Sequence, residues 1–100
     1  MSATLHHLKT WPEYYEAIDS GDKPFEVREN DRDFKAGQLL CLYEWDPRQQ
    51  TTTGRECYRR ITYVLTGGRF GIEPGYCVLG IRPIDQLEVL ELLQKKHATS

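Results

Sequence analysis

One hundred residues, 39% of them hydrophobic and 11% aromatic, suit one domain with a single modest core and leave no room for a second. A formal charge of −2 argues against coating duplex nucleic acid through bulk positive charge. No apolar run approaches the roughly 18 residues of a membrane span and no signal-peptide core opens the chain, so a cytoplasmic protein with no membrane partner is expected.

Ala3 to Lys9 reads as a first strand anchored by Leu5 and Leu8. A helix follows directly. Thr10 with Glu13 makes a capping-box pair, Pro12 suits a first turn, and Trp11, Tyr14, Tyr15 and Ile18 fall at i, i+3, i+4 and i+7. Asp19-Ser20-Gly21 ends the helix, with Gly21 suited to the left-handed position after it. Lys23 then stands at the turn into a second strand, Phe25 to Glu29. Alternation there puts Glu26, Arg28 and Asn30 on one face and points Phe25 and Val27 into the core.

Asn30 to Phe34 is a polar loop closed by Phe34, and Lys35-Ala36-Gly37-Gln38 turns into a third strand, Leu39 to Trp45. Both faces of that strand are apolar, as in a strand central to a covered sheet. Arg48 to Thr53 reads as an exposed, Thr-rich loop. Arg55 to Leu65 is the longest strand, with a bulge expected in it, and Thr66 to Gly71 is a glycine-rich hairpin connection rather than a phosphate-cradling loop, since no helix follows it. Tyr76 to Arg82 is the last strand. Asp85 with Glu88 opens an apolar C-terminal helix ending near Lys96, which serves either as core or as a docking face for a partner or a second copy.

The predicted fold is α+β: a small mixed β-barrel of about five strands, with one helix after the first strand and one at the C-terminus. Residues 1–100 form a single domain, with its core at 4–83 and an appended helix at 85–96.

Charge is uneven along the chain. Glu13 to Asp33 carries eight acids against Lys23, Arg28 and Arg32, whereas Arg48 to Ile72 carries five arginines against Glu56 alone. One face is therefore suited to phosphate. Cys41, Cys57 and Cys77 lie in apolar runs without metal-ligand spacing, which suits buried free thiols in a reducing compartment.

Gly21-x-Lys23-x-x-Glu26-x-Arg28 matches every fixed position of the GxKxxExR signature, and the chain in this respect resembles the ASCH domains of the PUA-like superfamily of small β-barrels. His6-x-Leu8-Lys9, Asn30-Asp31-Arg32-x-Phe34, Gly37, Thr53-Gly54-Arg55-Glu56 and Gly75-Tyr76 extend the likeness, over residues 6 to 82, to a bacterial and phage subfamily. The resemblance implies a PUA-like barrel whose signature lines a cleft between the first helix and the barrel mouth, and RNA-linked roles. Some ASCH-like proteins resemble amidohydrolases acting on a modified cytidine through a Lys, a Thr nucleophile and a downstream Glu. Lys23 matches that Lys, but Glu26 stands where the Thr would be, and the sequence does not single out the downstream Glu. Other ASCH proteins are nucleases.

A carboxylate between two cations is a poor general acid and a good hydrogen-bond acceptor, while the cations suit phosphate or carbonyl oxygens. Lys23, Glu26 and Arg28 are accordingly candidates for ligand binding, with Asn30, Arg32, Arg55, His6, Lys9 and Tyr76 around them. The alternative for the trio is a structural ion network. Arg59 and Arg60 extend the basic side, and Trp45 and Tyr76 are candidates for base stacking. His6 and His7, adjacent on a strand, face opposite ways and cannot jointly hold an ion, so no metal and no cofactor is expected. The expected function is an RNA- or nucleotide-binding module. Alternatives are a hydrolase of a modified nucleoside or RNA, with Lys23 and Glu26 catalytic, and an interaction module that forms a homodimer through the C-terminal helix.

Overall fold

The computed structural model describes residues 4–98. Its elements are β1 (Leu5–Thr10), α1 (Pro12–Asp19), β2 (Phe25–Glu29), β3 (Leu39–Asp46), β4 (Thr51–Thr66), β5 (Tyr76–Pro83) and α2 (Gln86–Ala98). The strands form one sheet in the order β1-β3-β4-β5-β2, curled into a half-barrel, with β1 parallel to β3 and every other pairing antiparallel. The expected α+β fold, strand number and helix positions are those observed. Ala3, placed in the first strand from sequence, lies outside the described residues.

Each face of the sheet carries one helix. On the inner face Leu8, Leu40, Leu42, Cys57, Ile61, Cys77, Leu79 and Ile81 close around Tyr15 and Ile18 of α1 and around Phe34. On the outer face Leu39 and Ile84 pack against Val89 of α2, with Leu5, Tyr58, Leu92 and Leu93 at the margin. The two apolar faces of β3 thus feed two separate clusters, as its continuous apolar run requires. Part of α2 is core; Leu87 and Leu90 point to solvent.

Several local expectations change. Thr10 does not cap α1: it remains in β1, its hydroxyl near Leu8 O, and Trp11 takes the N-cap position with no side-chain bond. Pro12 opens the helix as expected. The polar stretch after Trp45 is a tight turn over residues 47–50, and Thr51 already pairs with Asp46, so β4 starts earlier than its Thr-rich composition suggests. Gly54, at φ +94°, sits within β4 opposite a register shift between Tyr43 and Trp45, and a second shift lies between Ile61 and Tyr63. The bulge expected within Arg55 to Leu65 is the second of these, and the one at Gly54 precedes that stretch. At α2, Asp85 Oδ1 accepts the Glu88 amide at 2.9 Å, half of the expected capping box.

The β4–β5 connection is tighter than its glycines suggest. Gly67 N donates to Tyr76 O at 2.7 Å, and a Cβ on Gly67 would collide with the carbonyl oxygen of Glu73. Glycine is required there by close backbone approach.

Cys41, Cys57 and Cys77 are buried free thiols. Burial pushes the Cys41 thiol up to about 11 from 9.0, and the Tyr15 hydroxyl up to about 12 from 10.0. In both, folding favours the neutral form. Their contribution to stability is complete below pH 9 and is lost between pH 9 and 11 for Cys41 and between pH 10 and 12 for Tyr15. Urea unfolding measured across that range should show stability falling by about 1.4 kcal/mol per pH unit for each group in its window. A flat profile would show that neither group is sequestered.

Candidate functional site

α1 delivers the signature to its place. Ser20 N donates to Glu16 O, Gly21 N to Ile18 O and Lys23 N to Ala17 O, at 3.0, 3.1 and 2.9 Å. Gly21 reverses the chain at φ +90°, a conformation that disfavours a side chain. Arg59 reaches from β4 to the same helix end, its Nη2 donating to Ile18 O at 2.9 Å. Arg59, expected on a basic binding face, is instead buried and spent on the C-terminus of α1, where a cation is electrostatically favoured.

The orientation of β2 is the reverse of the one expected. Glu26 is only 4% exposed, whereas Phe25 and Val27 are 41% and 54% exposed. Alternation places Glu26 and Arg28 on one face, as read from sequence, but that face turns inward. β2 is a terminal strand whose inward face continues that of Leu79 and Cys77, opposite Glu26 and Arg28 across the ladder, and the carboxylate is accommodated there by charged partners. Lys23 Nζ lies 2.6 Å from Glu26 Oε1 and Arg28 Nε 2.8 Å from Glu26 Oε2, so each carboxylate oxygen has its own cation. A buried carboxylate is tolerated only when paired and hydrogen-bonded in this way.

Arg28 has a second task. Its Nη2 donates to Lys9 O at 2.6 Å and lies 3.4 Å from Thr10 Oγ1, while Arg32 Nη1 donates to His7 O at 3.0 Å. β1 and β2 are the two ends of the sheet and do not pair with each other. Two arginines therefore bridge the seam that backbone pairing leaves open.

A cleft of about 670 Å³ opens at this seam. Lys23, Glu26 and Arg28 line it, as do Lys9 and Tyr76, five of the residues expected from sequence. Thr10, Trp11, Tyr14, Val27 and Glu29 line it too. Trp11 and Tyr14 are 50% and 49% exposed, and Lys23 Nζ stands 5.5 Å from the centre of the Tyr14 ring. These two aromatics were legible only as members of the α1 apolar stripe. Three large side chains on a helix of eight residues, with a fourth at its N-cap, are more than one core face needs, and that excess is the signal that marks them. Trp45 does not line the cleft, but lies under Lys9, whose Nζ is 4.0 Å from its ring centre.

Four expected site residues lie elsewhere. His6 Nε2 is 2.9 Å from Gln38 Oε1, with its ring edge-on to Phe34, so it holds the turn before β3. Asn30 Oδ1 accepts the Phe34 amide at 3.1 Å and braces the loop after β2. Arg32 serves the seam. Arg55 lies on the other side of α1, paired with Glu16 and Asp19 and placed over the Tyr15 ring at 4.8 Å. It lines a separate hollow of about 420 Å³ with Tyr43 and Glu56. Among the described residues no group of three His, Cys, Asp or Glu side chains is placed to hold a metal ion, and no helix is long and apolar enough to cross a membrane.

The family model of DUF3850, described as a domain of unknown function, matches residues 5–81. That range runs from the first residue of β1 into β5 and stops short of α2. A protein of Escherichia phage P2, described as an uncharacterized 12.9 kDa protein in the GpA 3′ region, is 38% identical over 64 residues. The aligned stretch covers 64% of this chain and 57% of the phage protein, so the chain spans a little over half the length of that relative.

Removing the Glu26 carboxylate should leave two cations facing each other at the seam. Glu26→Ala is expected to cost about 3–5 kcal/mol in chemical denaturation, as for other broken buried pairs. A cost below about 1 kcal/mol, the range of surface pairs, would show that the trio is not structural.

Proposed function

We propose that this chain, which belongs to the DUF3850 family, binds single-stranded RNA or a nucleotide in the cleft between α1 and β2. The observation that carries the reading is the pairing of half-exposed aromatics with cations in one cleft: Trp11 and Tyr14 stand beside Lys9, Lys23 and Arg28. Aromatic faces suit unstacked bases, and the cations suit phosphate. The volume falls within the several hundred cubic ångströms typical of small-ligand sites. Trp11 and Tyr14 also have little else to do, since neither belongs to the buried core.

The reading extends to the superfamily. We take the chain to be an ASCH-type member of the PUA-like barrels, supported by the way GxKxxExR supplies the reversing glycine, the buried carboxylate and both of its cations. A curled five-stranded sheet with a helix after β1 fits that assignment. The trio is then structural and ligand-facing at once: Glu26 is committed to its partners, and Lys23 and Arg28 keep part of their surface toward the cleft.

Titration with single-stranded oligoribonucleotides and nucleoside monophosphates at low salt should give saturable binding. Trp11→Ala and Tyr14→Ala, on exposed positions, should each weaken it about 5- to 150-fold, the equivalent of about 1–3 kcal/mol per stacked base, without loss of the folded far-UV spectrum. Absence of binding, or binding indifferent to both changes, overturns the proposal. Turnover of acylated cytidines or RNA that disappears in Glu26→Gln would instead make the protein a hydrolase.

A further inference from the structure

The β2–β5 ladder fixes which backbone groups of β2 are spent. Ile81 N donates to Pro24 O at 3.1 Å at one end, and Asn30 N donates to Gly75 O at 2.8 Å at the other. The register between them is unbroken, from Phe25 opposite Gly80 to Glu29 opposite Tyr76. Antiparallel pairing alternates, so Pro24, Glu26, Arg28 and Asn30 turn their main-chain groups toward β5. Phe25, Val27 and Glu29 turn theirs the other way, across the free edge of the terminal strand.

The two edges of the seam are treated differently. On β1 the His7 and Lys9 carbonyls are taken by Arg32 and Arg28. On β2 no arginine or other side chain among the described residues reaches the main chain of Val27 or Glu29, and both residues line the cleft. Exposed strand edges are normally blunted, so an open edge inside a cleft invites a ligand with complementary hydrogen-bonding groups.

In an extended residue the N–H and C=O lie side by side on one edge of the strand, which is why paired residues exchange two bonds. An unpaired nucleobase offers the complement, an adjacent donor and acceptor along its Watson–Crick edge. We infer that the main chain of Val27 reads the Watson–Crick edge of an unpaired base through two hydrogen bonds, its N–H donating and its C=O accepting. The inference rests on the nucleotide reading and deepens it. It assigns base recognition to β2 and leaves stacking to Trp11 and Tyr14 and phosphate to Lys9 and Lys23. Duplexes are excluded, because pairing occupies the edge that Val27 reads. The valine side chain takes no part.

The test uses the full chain and four nucleoside monophosphates, each compared with its derivative methylated at the ring nitrogen of the Watson–Crick edge. For the wild type, methylation of the bound nucleotide should weaken binding about 5- to 150-fold, the effect expected of a bidentate contact. Val27→Pro removes the N–H without breaking the ladder, a substitution that edge strands accommodate, and should weaken the unmethylated nucleotide to a similar degree. If the wild type binds methylated and unmethylated forms equally, the edge reading is overturned while nucleotide binding stands. If the wild type binds none of the four, the nucleotide reading fails and this inference falls with it. Should Val27→Pro fail to fold, the methylation comparison on the wild type decides alone.

Discussion

The structure depends on one carboxylate. Glu26 lies buried between Lys23 and Arg28, one oxygen to each, and through Arg28 the same cluster reaches the free edge of β1. Remove the carboxylate and the arginine loses the group that orients it; remove the arginine and the sheet loses a bridge between its ends. A half-barrel whose terminal strands do not pair needs some such device, because each free edge otherwise leaves a row of unpaired polar groups. Here the device is made of side chains, and the cleft opens where it sits.

The same pairing leaves the members of the trio unequally satisfied. The carboxylate is fully committed, whereas the two cations present a remaining surface of partial exposure toward the aromatic wall of α1. Electrostatic pairing holds them in fixed positions, which suits a site that must present charge without rearranging. The basic side inferred from the run of arginines disperses in the fold. Arg59 is consumed by the end of α1, and Arg55 is anchored to Glu16 and Asp19 on the far side of the helix. Linear charge density is thus a poor guide to surface potential when the arginines are spent on partners within the fold.

How much was legible follows from what periodicity can carry. The order of elements, the two apolar faces of β3 and the positions of the helices could be read from sequence, because each depends on a local pattern confirmed by its neighbours. Alternation also showed that Glu26 and Arg28 share a face. It could not show that this face turns inward, since period 2 sorts residues into two sets without saying which set meets the core. Burial of Glu26 is decided by Arg28 reaching Lys9 across the seam, a contact between residues that no local pattern connects. Thr10 misled for a related reason: Thr-x-x-Glu is a capping signal only where the chain leaves the strand before it, and here β1 runs on through Thr10. Trp11 and Tyr14 read as core because a helical stripe gives no measure of how much of it the sheet can cover.

The strand order also has a kinetic side. β3, β4 and β5 are joined consecutively by short turns and can pair as hairpins, whereas β1 must wait for β3, Leu5 finding Leu39, and β2 must wait for β5, Phe25 finding Gly80. Closing those longer loops costs more entropy, so the central meander is expected to form first and the terminal strands to dock on either side of it. Pulse-labelled amide exchange reads that order directly. The seam that Arg28 and Arg32 fasten is then the last part of the molecule to be assembled, and a nascent chain has no cleft until almost all of it has folded.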